Sequence, residues 1–211
     1  MKRILLAAVL AISLATPASA QSLYLQPGER AVEVSAGWSV GPSSNGLETF
    51  AGVSLDGRID LGLGFNRYKV DFEDGSDSSF TEYAPFARYF LIKQSEGGAP
   101  VSLAVSAQAF FDDYPVAGDS GKFVQIGTAV YKALKLSDRF EMQPYVGFAF
   151  VAESYAFGGE PAETARYLTR DIGLHFTTAT DRPWIWRATL LEQSFRQETY
   201  RGARVAAIRR F

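Results

Sequence analysis

The sequence has no cysteine and a single histidine. Without thiols there can be neither a disulfide framework nor a thiolate metal site, and one imidazole excludes a histidine-rich one; no metal and no cofactor is expected. Stability must therefore come from burial and from a complete network of backbone hydrogen bonds. Long apolar runs are missing as well: beyond residue 20 no stretch of 18 apolar residues occurs, and none keeps a 3.6-residue period over several turns. Nor is there an excess of positive charge. Of the 21 Lys and Arg, Lys2 and Arg3 lie in a leader, which leaves 19 against 23 acidic side chains and a net −4, with no basic stripe to invite nucleic acid. Aromatic residues make up 14% of the chain, which excludes a disordered polar sequence, and its 211 residues fit one domain.

The first twenty residues have the build of a secretory signal peptide. Lys2 and Arg3 form a positive start, Ile4 to Leu14 an apolar stretch too short to span a bilayer, and Ala18-Ser19-Ala20 a small-residue cleavage site. The expected organisation is a signal peptide over 1–20, a lead-in over 21–30 and one domain over 31–211.

What fills that domain is period-2 alternation, the mark of strands with two unlike faces. Val32, Val34, Ala36, Trp38 and Val40 alternate with Glu33, Ser35, Gly37 and Ser39; Leu47, Val53 and Leu55 share a face opposite Glu48, Phe50, Gly52 and Ser54. Asp56-Gly57 signals a type I′ turn. Ile59, Leu61, Leu63 and Phe65 follow, and a change of phase to Tyr68, Val70 and Phe72 predicts a bulge near Arg67. Further alternating segments run from Phe80 to Ile92, Val101 to Phe111, Phe123 to Leu134, Phe140 to Phe150, around Leu168 to Phe176, and about Trp184 to Phe195 and Tyr200 to Phe211. Polar stretches at Glu73–Ser79 and Asp112–Gly121 are expected as acidic loops, and Gly158-Gly159-Glu160-Pro161 as a hairpin closure. That makes ten strands with no helix-length gap, hence an all-β antiparallel up-and-down meander; eight strands is the runner-up. Phe140 to Phe150 is ten steps, roughly 33 Å of strand and about 23 Å along a normal tilted by 45°, close to the ~25 Å apolar band of a transmembrane barrel. The opposite face carries Gly62, Gly64, Gly127, Gly147 and Gly173, as a narrow closed sheet requires.

Two of these strands resemble a family. Met142-Gln143-Pro144-Tyr145-Val146-Gly147-Phe148 is similar to the P-Y-x-G strand of small outer-membrane β-barrel proteins of Gram-negative bacteria, the OmpA-like and OmpX-like barrels. Ala84-Pro85-Phe86-Ala87-Arg88-Tyr89-Phe90 is similar to their P-F-x-R-Y-F strand, and Phe211 matches their terminal aromatic. The resemblance implies a transmembrane barrel in the cell outer membrane, in contact with outer-membrane lipid and lipopolysaccharide, whose assembly signal at Phe211 is read by the barrel-assembly machinery. Arg209 departs from the family's apolar positions leading back from that end.

The residues that could carry chemistry are few. His175 shares a face with Asp171, but four residues of strand separate them by about 13 Å, too far for a hydrogen bond. No G-x-S-x-G motif accompanies them, so His175 reads as an interior structural residue and no enzyme is expected. Gly62-Leu63-Gly64 lacks the third glycine and the helix of a phosphate loop. The acidic loops lack the spacing and closing Glu of an EF-hand, which leaves divalent ions bridging them to lipopolysaccharide phosphates as a minor alternative. Asp60, Glu82, Arg88, Asp171, Arg187 and Arg204 form, with His175, a candidate lumen charge network, since charges inside a narrow barrel must pair. It serves either a polar plug that rigidifies the barrel or a selective conduit for ions or small solutes. Trp184-Ile185-Trp186 is expected at an interfacial girdle. Three functional readings follow: a structural or surface-interaction barrel without catalysis, a porin-like small-solute channel, and a soluble periplasmic lipocalin-like barrel with its faces inverted. The physiological ligand is not legible.

Overall fold

A computed structural model of the chain describes residues 23, 25–42, 44–71, 77–96, 98–113, 120–156, 163–178, 183–195 and 198–211. The signal peptide over 1–20 and the Gly158–Pro161 closure lie outside these residues, as does Phe72. The strands are β1 (Ala31–Gly41), β2 (Ser44–Leu55), β3 (Ile59–Asp71), β4 (Asp77–Ile92), β5 (Ser102–Asp113), β6 (Ser120–Tyr131), β7 (Leu134–Lys135), β8 (Phe140–Ala156), β9 (Glu163–Thr178), β10 (Trp184–Phe195) and β11 (Glu198–Arg210). Each long strand pairs antiparallel with its sequence neighbours, β6 pairs with β8 past the two-residue β7, and β1 pairs with β11. The result is a closed ten-strand antiparallel barrel with one short extra strand. Closure gives each of the ten long strands a neighbour on both sides, so that none of them is left as an edge.

Side chains sort by parity. Val34, Val53, Leu63, Ile126, Phe148, Leu168, Leu190 and Val205 are exposed on the outside, and Glu33, Ser54, Asp60, Gln125, Gln143 and Thr169 are buried inside. Aromatic rings lie over glycines of the adjoining strand. Gly173 is registered with Tyr145, whose ring stands 2.2 Å from where a Cβ would be, so only glycine accommodates it.

The bulge expected near Arg67 is absent. The β2–β3 ladder runs unbroken from Ser44↔Val70 to Leu55↔Ile59, and Tyr68 and Val70 point inward in phase with Asp60. The apparent change of phase is a change of solvent: beyond Phe65 the outward positions are Arg67 and Lys69, and the apolar residues move to the inside. An irregularity occurs instead between β4 and β5 at Phe90/Ile92. It places Leu91 and Ile92 both outward and turns Lys93 inward. Asp112, expected in an acidic loop, belongs to β5 and is buried, because β5 extends to Asp113.

The end of the barrel where β1 starts and β11 finishes is sealed by an apolar cluster. Leu23 and Leu25 of the lead-in pack with Phe90, Tyr131, Tyr145, Ile185 and Ile208. The lead-in is held at several points. Gly28 N–H donates to Asp56 Oδ1 (2.8 Å), Gly57 N–H to Glu29 O (2.9 Å) and Phe211 N–H to Arg30 O (2.9 Å). Lys93 Nζ donates to the carbonyls of Leu25 and Gly57, the latter at 2.8 Å, and Arg210 pairs with Glu29. The Asp56-Gly57 turn has φ of 55° and 59°, the positive values a type I′ turn demands. At Gly57 a Cβ would also stand 2.3 Å from Gln26 O, so this glycine is fixed both by its turn and by the strap crossing it.

Candidate functional site: the charged lumen

Asp60, Glu82, Arg88, His175, Arg187 and Arg204 are all buried on the inner face, and Asp171 is half-buried there. Several of them share one electrostatic neighbourhood: Arg187, Arg204 and Asp60 all act on Glu33, and Arg187, Arg88 and Arg204 on His175. Arg187 on β10 pairs with Glu33 on β1, both side chains fully buried, and Arg204 on β11 pairs with Glu48 on β2 at 2.5 Å. Tyr68 O–H donates to the same Glu48 carboxylate at 3.2 Å. Ser54 O–H donates to Asp60 Oδ1 (2.5 Å), and Asp60 is registered directly opposite Arg88 across β3 and β4. Glu82 accepts from Asn66 Nδ2 at 2.8 Å.

Both ion pairs reach over an intervening strand, past Gly37 in one case and past Ala206 in the other. Gly37 on β1 is registered with Arg204 on one side and Glu48 on the other. A Cβ there would meet Arg204 Cβ at 2.9 Å and Ala203 O at 2.6 Å. Arg187 is registered with Ala206, which is registered in turn with Ser35, the inward residue next to Glu33. Each pair therefore straddles the β1–β11 seam, one joining β10 to β1 and the other β11 to β2. Glu33 and Glu48 are not among the site residues expected from the sequence. Their place on the polar side of a clean alternation was the available signal, but the identity of their partners depends on which strands meet at closure.

His175 sits near the sealed end. Its Nδ1 lies 2.8 Å from Thr189 Oγ1, and its ring stacks on Tyr145 (centroids 4.9 Å apart, planes at 17°) and beyond it on Tyr131 (6.2 Å, 14°). The Tyr145 ring covers Gly173, the residue that separates His175 from Asp171 along their shared face. Thr189 and two aromatic rings make a packed, water-excluded setting rather than a nucleophile–base–acid relay. Among the described residues no three His, Asp or Glu side chains are placed to hold a metal ion.

Beside Arg88, Gln125, Tyr145 and Asp171 an opening of about 20 Å³ remains, room for about one water molecule. At the sealed end Lys93 is held by backbone rather than by a carboxylate: burial pushes its ammonium below the usual lysine range, and it donates to the carbonyls of Leu25 and Gly57. On the outside of the same end Trp184 and Trp186 are exposed, Ile185 points inward, and the Arg209 guanidinium lies 5.1 Å over the Trp184 ring. The cation that breaks the apolar pattern before Phe211 thus joins an aromatic girdle.

No family model and no curated protein matches the sequence. Solved structures do match. The translocator domain of autotransporter NalP from Neisseria meningitidis is 10% identical, covering 86% of this chain and 88% of that one, with a TM-score of 0.55. Neisserial surface protein A is 8% identical over 86% and 94% at a TM-score of 0.45, and Ail, the attachment invasion locus protein of Yersinia pestis, 10% identical over 88% and 100% at 0.44. These neighbours are outer-membrane β-barrels, and at such identities the likeness is one of fold.

Proposed function

We propose that this chain, which has the fold of the outer-membrane barrels, is itself an integral outer-membrane protein, exported through a cleaved signal peptide and serving a structural or surface-interaction role without catalysis. One observation carries the reading. Each of the ten long strands presents exposed apolar side chains outward, Leu168 at 72% and Ile126 at 63% among them, around an interior of paired charges. In water an apolar belt of this kind would be an aggregation surface, whereas in hydrocarbon it is the stable arrangement, and the outward Arg170 and Glu192 that interrupt it bond to Ser194 and Arg201. A lipocalin-like carrier needs the reverse, an apolar cavity inside a polar shell, and here the inward side chains along the strands include Glu33, Glu48, Asp60, Glu82, Arg187 and Arg204. The expected result is that the mature protein needs detergent to stay monomeric and migrates anomalously on gels until heated. A monodisperse protein in detergent-free buffer would refute the membrane reading.

The small-solute channel is the weaker reading, because Leu23 and Leu25 close one mouth and the ion pairs occupy the middle. Planar-bilayer recordings separate the two roles: the plugged barrel gives no steady conductance, and Leu23→Asp with Leu25→Asp does not by itself open one while the ion pairs stand. A reproducible wild-type conductance that changes with Arg88→Ala would favour the conduit. Phe211, exposed at the end of the barrel, is read as the assembly signal for the barrel-assembly machinery; its deletion is expected to lower the folded fraction in cells while leaving refolding in detergent unchanged.

A further inference from the structure

On the outside of β1–β4, toward the end opposite the apolar seal, the strands form an open groove of about 520 Å³, a volume within the usual ~300–1,000 Å³ range of small-ligand sites. Its wall is ordered by register. One outward row runs Trp38–Leu47–Arg67–Thr81 across the four strands, and the next row toward the loops runs Val40–Asn45–Lys69–Ser79. Trp38 and Leu47 are about half exposed, at 51% and 47%, and form an apolar floor. Arg67 and Lys69 stand above it, at the level where the outward face of β3 changes from Leu61, Leu63 and Phe65 to cations. Lys69 is partly neutralised by Asp77 at 2.6 Å. Arg67 makes no hydrogen bond or ion pair among the described residues.

We propose that this groove binds a phosphate-bearing lipid of the surrounding leaflet, with its headgroup phosphate on Arg67 and Lys69 and an acyl chain along Trp38 and Leu47. The proposal rests on the bilayer reading above and deepens it by naming a partner. Charge and hydropathy select this occupant. The planar guanidinium fork of Arg67 matches two phosphate oxygens, Asn45 and Ser79 supply neutral hydrogen-bond donors beside it, and the floor accepts hydrocarbon. A soluble phosphate would leave Trp38 and Leu47 uncovered, and an uncharged lipid would leave Arg67 unmatched. The order of the two rows is also that of a lipid standing in a bilayer, with the anion toward water and the chain toward the midplane.

The test is native mass spectrometry of the full mature barrel released from detergent micelles and titrated with diphosphoryl lipid A or with the same lipid after enzymatic dephosphorylation. Wild type is expected to hold the diphosphoryl form the more tightly. Arg67→Ala with Lys69→Ala should lower that affinity by about tenfold or more, the scale of losing charge-assisted hydrogen bonds, with binding of the dephosphorylated lipid unchanged. Trp38→Ala should weaken both lipids, and Lys122→Ala, an outward cation on β6, neither. Heat-modifiable gel mobility checks that each variant is folded. Equal binding of the two lipids by wild type, undiminished binding by the Arg67–Lys69 variant, or full displacement of the lipid by millimolar inorganic phosphate would each overturn the site. A barrel that needs detergent yet shows no lipid preference fails only here; one that is monodisperse without detergent fails at the membrane reading.

Discussion

Replacing Arg204 by methionine leaves the Glu48 carboxylate inside the barrel with the hydrogen bond from the Tyr68 hydroxyl, 3.2 Å away. The two side chains of the pair are only 4% and 3% exposed, so solvent screening relieves little of the cost. Removing one partner of a buried pair costs about 3–5 kcal/mol. The retained Tyr68 bond to a charged acceptor, worth about 1.5–3 kcal/mol, puts Arg204→Met at the lower end, about 3 kcal/mol. Removing both charges together, as Arg204→Met with Glu48→Leu, is expected to stay within about 1 kcal/mol of wild type, because the desolvation penalty of the pair disappears along with its attraction. With the reciprocal Glu48→Leu single also at about 3 kcal/mol, the coupling across the cycle is roughly 5–7 kcal/mol. Urea unfolding of barrels refolded into vesicles measures it, with the outward Trp38, Trp184 and Trp186 as fluorescence reporters. A single variant that costs under about 1 kcal/mol, or a double variant that loses the sum of the singles, would refute the idea that the seam is held by a desolvated pair.

Gly37→Val should be more damaging than either single charge variant, since it inserts a branched side chain where a Cβ already meets backbone at 2.6 Å; loss of heat-modifiable folded barrel on gels checks it, and a fully folded variant counts against the close approach. Gly57→Ala is expected to free the lead-in, through its positive φ and its 2.3 Å approach to Gln26 O, and limited proteolysis reads this as faster cutting before Ala31. Lys93→Met removes the donors to Leu25 O and Gly57 O and should cost about 1–3 kcal/mol. Burial lowers the folded-state pKa of Lys93 from 10.5, so between that lowered value and 10.5 the unfolded chain holds the proton more often, and wild-type stability should rise with pH across this window relative to Lys93→Met. A difference that falls with pH there would contradict the burial of a charged ammonium. His175→Phe should keep the stack on Tyr145 and lose the Thr189 bond, a cost of about 1 kcal/mol, with no change in any activity the protein is found to have; a lost activity would make His175 more than a packing residue.

Alternation made the faces of nearly every strand legible, because Val32–Val40 against Glu33–Ser39 needs no partner to be read. The exceptions follow from what alternation cannot see. Tyr68 and Val70 looked like a slipped register because a pattern of apolar residues does not say which solvent lies outside, and β3 carries on past the level where the outward face turns cationic. Asp112 looked like loop because acidic residues next to a turn are equally at home at the top of a strand lining a polar interior. The inward phase of Arg187 and Arg204 could be read, but not their pairing with Glu33 and Glu48, since those partners are 154 and 156 residues away and are fixed by the register at closure. The apolar seal was invisible for a related reason: Leu23 and Leu25 lie in a stretch without period, and only the mouth they fill gives them a place.

The pairing of β1 with β11 also sets a condition on time. β1 has one half of its ladder satisfied by β2, the next strand made, but the other half stays open until the last segment of the chain arrives. Contacts that join the two ends of a chain are the slowest to form, because the intervening residues must already be ordered. Until then the growing sheet has two exposed edges and a face built for lipid, a combination that recruits other chains. A product that stops before Glu198 is therefore not a weaker barrel but an open sheet, and quality control has to recognise an edge rather than a loss of stability.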